Sequence, residues 1–144
     1  MFIGINSSTK RAEMARAVLE GTSYAIRHNF DEARSLGADP EYVASCGGGV
    51  KSSIWLKIKA SVLGIPFMVF ENETIDRATL GDAIIAGYGI GMTDDPEGAS
   101  RKVCRFSRAV EPEREWADIY RELYALYRKM YVHLEDDLKE LSLI

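Results

Sequence analysis

The chain has 144 residues, 47% of them hydrophobic and 28% charged, with 18 Lys+Arg against 22 Asp+Glu and a formal net charge of -4. That is one domain's worth on a scale of roughly 100–200 residues per domain, and the composition excludes wholesale disorder. The acidic balance speaks against a dedicated nucleic-acid binder, and the longest uncharged apolar stretch, residues 83–92, falls short of the roughly 20 residues a membrane-spanning helix needs.

Residues 2–5, Phe-Ile-Gly-Ile, read as the last part of a strand, and Asn6-Ser7-Ser8-Thr9 supplies N-cap candidates for a helix. Met14, Ala17, Val18, Gly21, Tyr24 and Ala25 recur at helical spacing. The pattern predicts a long helix to about Leu36, stopped by Gly37 and Pro40. Residues 42–46 form a short strand candidate, broken by Gly47-Gly48-Gly49. A second helix is expected over residues 51–63, with Ile54, Trp55, Ile58 and Val62 on one face and Gly64 closing it. Residues 66–70 are an unbroken apolar run, as in a strand buried on both faces.

Residues 77–88 predict a third helix rich in small side chains: Ala78, Gly81, Ala83, Ala86 and Gly87. A turn with Asp94, Asp95 and Pro96 comes next, then a short helix around Ser100. The last helix starts near Pro112 and carries Trp116, Ile119, Tyr120, Leu123, Tyr127 and Met130 as a stripe. The charged tail from His133 is expected to fray or to cap the end. Strand–helix alternation of this kind predicts parallel βαβ units covered by helices, an α/β fold.

Residues 45–53, Ser-Cys-Gly-Gly-Gly-Val-Lys-Ser-Ser, are the strongest candidate for chemistry. A strand ends, three glycines succeed it and a helix opens with a lysine and two hydroxyls. Glycine lets a ligand approach the backbone, and a helix N-terminus offers unpaired N–H groups and partial positive charge. The spacing is neither Walker A nor the GxGxxG fingerprint, so a tight turn with a capping serine accounts for it equally well. His28 and His133 lack metal-ligand spacing, and His28 reads as a surface or helix-end residue. Asp94-Asp95-Pro96 reads as a turn. Cys46 reads as a small buried apolar residue rather than an activated thiol. Tyr120, Tyr124, Tyr127 and Tyr131 read as packing with hydroxyls at the rim. The two cysteines, Cys46 and Cys104, are too few for a disulfide scaffold, and no basic segment leads into an apolar run at the N-terminus, so a cytoplasmic setting is expected.

Three features in order resemble the FGGY family of carbohydrate kinases. Gly4-Ile5, a polar stretch and residues 13–20 (Glu-Met-Ala-Arg-Ala-Val-Leu-Glu) resemble the latter part of that family's second signature. Residues 47–55 with Val62-Leu63-Gly64 are similar to its adenosine-binding segment, and Leu80-Gly81-Asp82-Ala83 with the Tyr-rich last helix continues the match. The resemblance implies the end of a second, ribonuclease H-like (actin-like ATPase) domain, with short parallel strands covered by several helices. The first domain and the start of the second would be absent. It implies that Gly48 and Ser52 contact ADP and that Gly47, Gly49 and Lys51 line the same pocket. It also implies ATP/ADP with Mg2+ in the complete enzyme, and a sugar bound only through the missing upstream half. No catalytic and no metal-binding residue is carried here. Ser61, the pair Asp76-Arg77 and Asp82 depart from the family's usual aspartate, Glu-Ala and alanine, while Lys51-Ser52 resembles xylulose-kinase-like members. The function expected is therefore the adenosine side of an ATP-dependent pentulose kinase, inactive in isolation. The alternative is a stand-alone, non-catalytic nucleotide-binding or oligomerisation module, whose strand edge would pair with another copy as a homo-oligomer.

Overall fold

A computed structural model describes residues 1–71 and 76–143. Helix α1 (Arg11–Ser35) leads to strand β1 (Val43–Ser45), a 3-10 turn (Gly48–Lys51), helix α2 (Ser53–Leu63) and strand β2 (Phe67–Phe70). Helices α3 (Arg77–Gly89) and α4 (Pro96–Val103), strand β3 (Phe106–Val110), a second 3-10 turn (Arg114–Trp116) and helix α5 (Ala117–Leu141) complete the chain. Among the described residues no helix is long and apolar enough to cross a membrane.

The sheet runs β1-β2-β3. β1 and β2 are parallel, with Val43 opposite Phe67 and Ser45 opposite Val69, and α2 is the crossover between them. This is the expected βαβ unit. β3 runs antiparallel to β2, with Phe67 opposite Val110, so the sheet is mixed rather than wholly parallel. The sequence pattern does not predict β3. Only its two end residues, Phe106 and Val110, are half-buried, and Ser107, Arg108 and Ala109 face solvent. Such a segment lacks the apolar run that marks a strand, and pairing with β2 is what defines it. In β2, Phe67 and Val69 are buried while Met68 and Phe70 are only half so. One face is thus fully covered, not both.

Residues 2–5 form no strand, and Phe2, Ile3 and Ile5 are each about half exposed. Strand geometry persists only where a neighbour pairs the backbone, and no described strand lies in register beside them. Residues 6–9 also differ from expectation. Asn6 accepts from the Ser8 amide at 2.9 Å, and the Asn6 amide donates to Thr9 Oγ1 at 3.0 Å, so this stretch is a self-contained turn. α1 is instead capped at Lys10, whose amide donates to Glu13 Oε2 at 2.8 Å. α5 continues through His133 to Leu141, where Lys139 pairs with Glu135 one turn back at 2.9 Å. The charges expected to fray or cap the tail are spaced to support it.

The core lies where α2 packs against α1, α5 and the sheet. Leu56, Ile58, Val62 and Val69 are fully enclosed, and Tyr24, Tyr120 and Tyr124 close the seam between α1 and α5. Ile54, assigned by its spacing to the buried face of α2, is exposed, and Leu56 takes that place. Arg27 Nη1 donates to the Val62 carbonyl at 2.8 Å and its guanidinium lies 4.1 Å from the Tyr124 ring centre, fastening α1 to both neighbours.

The tyrosines are packing residues, as their spacing implied. Tyr24 meets Tyr120 edge-on at 6.3 Å, and Tyr124 stacks on Tyr127 at 6.0 Å. Tyr120 donates to Glu20 at 2.9 Å and accepts from Arg16 at 2.9 Å, while Tyr124 donates to Asp31 at 2.6 Å. His28 is not at the surface or the helix end. It sits inside α1, half-buried, with Tyr127 and Tyr131 edge-on to it at 6.2 and 5.0 Å.

Burial pushes the Tyr120 and Tyr124 phenols up to about 12 and raises Tyr24 in the same direction. An unfolded tyrosine titrates near 10. A group whose folded pKa is raised contributes stability that is complete below its unfolded value and lost as pH rises through its folded value. The stability these tyrosines contribute should therefore be complete below about pH 10 and be lost as the pH approaches 12. In an alkaline titration the phenolate absorbance of the buried Tyr24, Tyr120 and Tyr124 should appear only together with the loss of helical circular dichroism. Full ionisation of all tyrosines near pH 10 with the helices intact would contradict this seam.

Candidate functional site

The glycine segment forms a single corner between β1 and α2. β1 ends at Ser45, and the thiol of Cys46 beyond it is free and exposed rather than buried. Gly47 turns the chain with φ +78° and ψ -170°, a conformation that side chains disfavour. One 3-10 turn comes next, in which the Val50 amide donates to the Gly47 carbonyl at 3.2 Å. Val50 is buried in the core and pins the turn to the body of the domain. Ser52 then adopts an extended conformation and caps α2, its Oγ accepting from the Trp55 amide at 3.3 Å.

All five sequence-derived site residues share this corner. Gly47 and Gly48 are exposed, Gly49 and Ser52 are half-buried, and the Lys51 side chain is exposed at the end of the 3-10 turn. α2 has no acidic side chain in its first turn, so its partial positive charge is left uncompensated by its own residues. The Ser52 hydroxyl spends a lone pair on the cap and keeps its proton for an external acceptor.

The three glycines differ in why they lack a side chain. Gly47 needs its positive φ. A Cβ on Gly49 would lie 3.3 Å from both Lys59 Nζ and the Trp55 ring. Gly48 has neither constraint: its φ is ordinary, and nothing lies within 4 Å of a Cβ built on it. The packing of the chain itself leaves the absent side chain at Gly48 unexplained.

Trp55 and Lys59 form the floor beneath Gly49. They stand one helical turn apart on α2, and the Lys59 ammonium lies 3.7 Å from the centre of the Trp55 ring. Burial lowers the Lys59 pKa from its ordinary value. The Trp55 indole Nε1 is buried with no hydrogen-bond partner among the described residues. Helical periodicity assigns Trp55 only to the core face of α2 and gives Lys59 no role. Their four-residue spacing is the signal that joins them.

Other candidates resolve into structure. Asp95 caps α4, accepting from the Gly98 amide at 2.8 Å, as the turn reading required. Ser61 is buried, donates to the Lys57 carbonyl at 2.7 Å and accepts from the Glu113 amide at 2.8 Å, tying α2 to the segment before α5. Among the described residues no group of three or more His, Cys, Asp or Glu side chains could hold a metal ion. A cavity of about 460 Å³ lies beside α2, with Ser53, Lys57, Arg108 and Glu113 in its wall, and Lys57 and Glu113 form an ion pair there. A larger apolar groove of about 800 Å³ runs between α1, α5 and residues 1–4. Residues 47–52 line neither. The glycine corner thus belongs to neither of these two cavities.

Comparison with known proteins fits this arrangement. Residues 1–90 match the model of the C-terminal domain of the FGGY family of carbohydrate kinases. The chain is 31% identical over 130 residues to a xylulose kinase of Staphylococcus epidermidis, covering 90% of this chain and 26% of that protein. The crystal structure of a xylulose kinase from Brucella ovis superimposes with a TM-score of 0.80 at 29% identity, over 94% of this chain and 28% of that one. A glycerol kinase from Plasmodium falciparum, solved with ADP, superimposes with a TM-score of 0.70 at 18% identity, over 90% of this chain and 26% of that one, and shows likeness of fold alone. The chain spans about a quarter of the length of these proteins. The family match over residues 1–90 and the identity to xylulose kinases along most of the chain show that the chain belongs to the FGGY family of carbohydrate kinases, to that family's C-terminal domain.

Proposed function

We propose that this chain is the nucleotide-binding end of the second domain of an ATP-dependent pentulose kinase, and that it supplies the adenosine side of the nucleotide site. The observation that carries the reading is Gly48, whose missing side chain is unexplained by the chain's own packing and which stands exposed where the N-terminus of α2 presents its partial positive charge. Gly47 turns the backbone, Gly48 admits the nucleotide against the main chain, Ser52 offers its hydroxyl proton and Lys51 adds positive charge. Gly49 keeps the floor close. The xylulose kinases among the relatives support a pentulose as the sugar.

Among the described residues no group of three or more His, Cys, Asp or Glu side chains could hold Mg2+ by itself, so no residue here is assigned to the metal. Phosphoryl transfer rests on positioning the sugar hydroxyl in line with the γ-phosphate and on stabilising the developing charge. This chain contributes the first of these from the adenosine side. The general base and the sugar site belong to the portion of the enzyme that its relatives carry beyond the matched quarter.

The reading predicts that the 144-residue chain binds ADP in the millimolar range, about -4 kcal/mol, as one wall of a two-walled site. It also predicts that the chain alone phosphorylates no xylulose. Calorimetric titration and a coupled ADP-release assay check both. Sugar phosphorylation by the pure chain would overturn the division of labour. Saturable binding confined to a stable homo-oligomer would favour the stand-alone module instead.

A further inference from the structure

We propose that Trp55 and Lys59 are positioning residues of the nucleotide corner: their stack forms the floor under Gly49 and disfavours a side chain at position 49, without either side chain touching the ligand. The proposal rests on the nucleotide reading above. Its geometry stands apart from the helix N-terminus and from the family match.

Three observations carry it. The Lys59 ammonium lies 3.7 Å from the Trp55 ring centre, so the two side chains form one block. A Cβ at Gly49 would approach that block at 3.3 Å from two directions, the ammonium and the ring edge, closer than ordinary van der Waals contact. No such contact exists at Gly47 or Gly48, so the block acts on one glycine alone. The Trp55 amide is also the donor to the Ser52 cap, and the same residue therefore anchors both ends of the corner. The half-buried Lys59 ammonium is held by the ring. Because Gly49 has an ordinary φ, alanine there meets only this block and no backbone strain.

The test is a double-mutant cycle in the 144-residue chain, using Gly49→Ala, Lys59→Met and the pair, read as ADP affinity by calorimetry and as melting temperature. Methionine keeps an apolar stem against Trp55 and removes the charge and its contact with position 49. Gly49→Ala is expected to weaken ADP binding by about tenfold, and Lys59→Met alone to change it less than about twofold. The pair should recover part of the loss, since the Trp55 ring still lies 3.3 Å from a Cβ at position 49, a coupling of the size neighbouring residues show. Additive effects in the pair would overturn the proposal. So would a large loss from Lys59→Met alone at an unchanged melting temperature, which would make Lys59 a ligand contact. If the parent chain binds no ADP, the nucleotide reading itself fails. If the parent binds and the cycle is additive, only the positioning role fails.

Discussion

Replacing Tyr120 with alanine is expected to lower folding stability by about 3–5 kcal/mol. Tyr120 is 1% exposed and stands at the meeting point of α1, α2 and α5. Its ring meets Tyr24 at 6.3 Å and Trp116 at 5.9 Å, both edge-on, and no neighbour can fill the space an alanine would leave without breaking those contacts. Phenylalanine should cost far less, about 1 kcal/mol, because Arg16 and Glu20 remain paired with each other at 2.7 Å when the hydroxyl is gone. Urea denaturation of the two variants separates ring from hydroxyl. A loss below about 1 kcal/mol for Tyr120→Ala would mean that the α1–α5 seam is not the core of this domain.

The second large effect concerns binding rather than folding. Gly48→Ala should leave the melting temperature unchanged or slightly raised, since the added methyl meets open space and the unfolded chain loses entropy. The same change should weaken ADP binding by about tenfold or more, equivalent to about 1.4 kcal/mol, by denying the nucleotide its approach to the backbone. Gly47→Ala provides the contrast. Its φ of +78° makes alanine cost about 1–2 kcal/mol in folding, so binding and stability fall together. Undiminished ADP affinity in Gly48→Ala would remove the main support for the nucleotide corner.

Much of this organisation was legible in the sequence, for identifiable reasons. α1 and α2 announce themselves by period and by stop residues, and Gly64 ends α2 in the left-handed conformation that glycine favours. The glycine corner was legible because three adjacent glycines leading into hydroxyls admit few backbone explanations. β3 was not legible, since its identity comes from pairing with β2, a strand distant in the chain. Residues 2–5 failed in the opposite sense: their composition suits a strand, but no described neighbour pairs them. The distinct roles of the three glycines could not be read from composition at all. They depend on one backbone angle at Gly47 and on a stack of side chains under Gly49.

Ser61 shows how a departure from a family pattern can be structural. At the position where the resemblance implies an aspartate, its hydroxyl bridges the Lys57 carbonyl and the Glu113 amide inside the domain. A carboxylate there could accept from the amide but would face the carbonyl with no proton to donate.

The central claim is that residues 47–52 form one wall of a nucleotide site. It is tested most directly by tracking the backbone amides of the isotope-labelled chain during titration with ADP. The account predicts saturable shifts at Gly47, Gly48, Gly49, Lys51 and Ser52, with smaller ones at Trp55, and none along the apolar groove at Leu123, Leu126 and Leu134. Shifts confined to that groove, or no shift at the glycine corner at millimolar ADP, would contradict it.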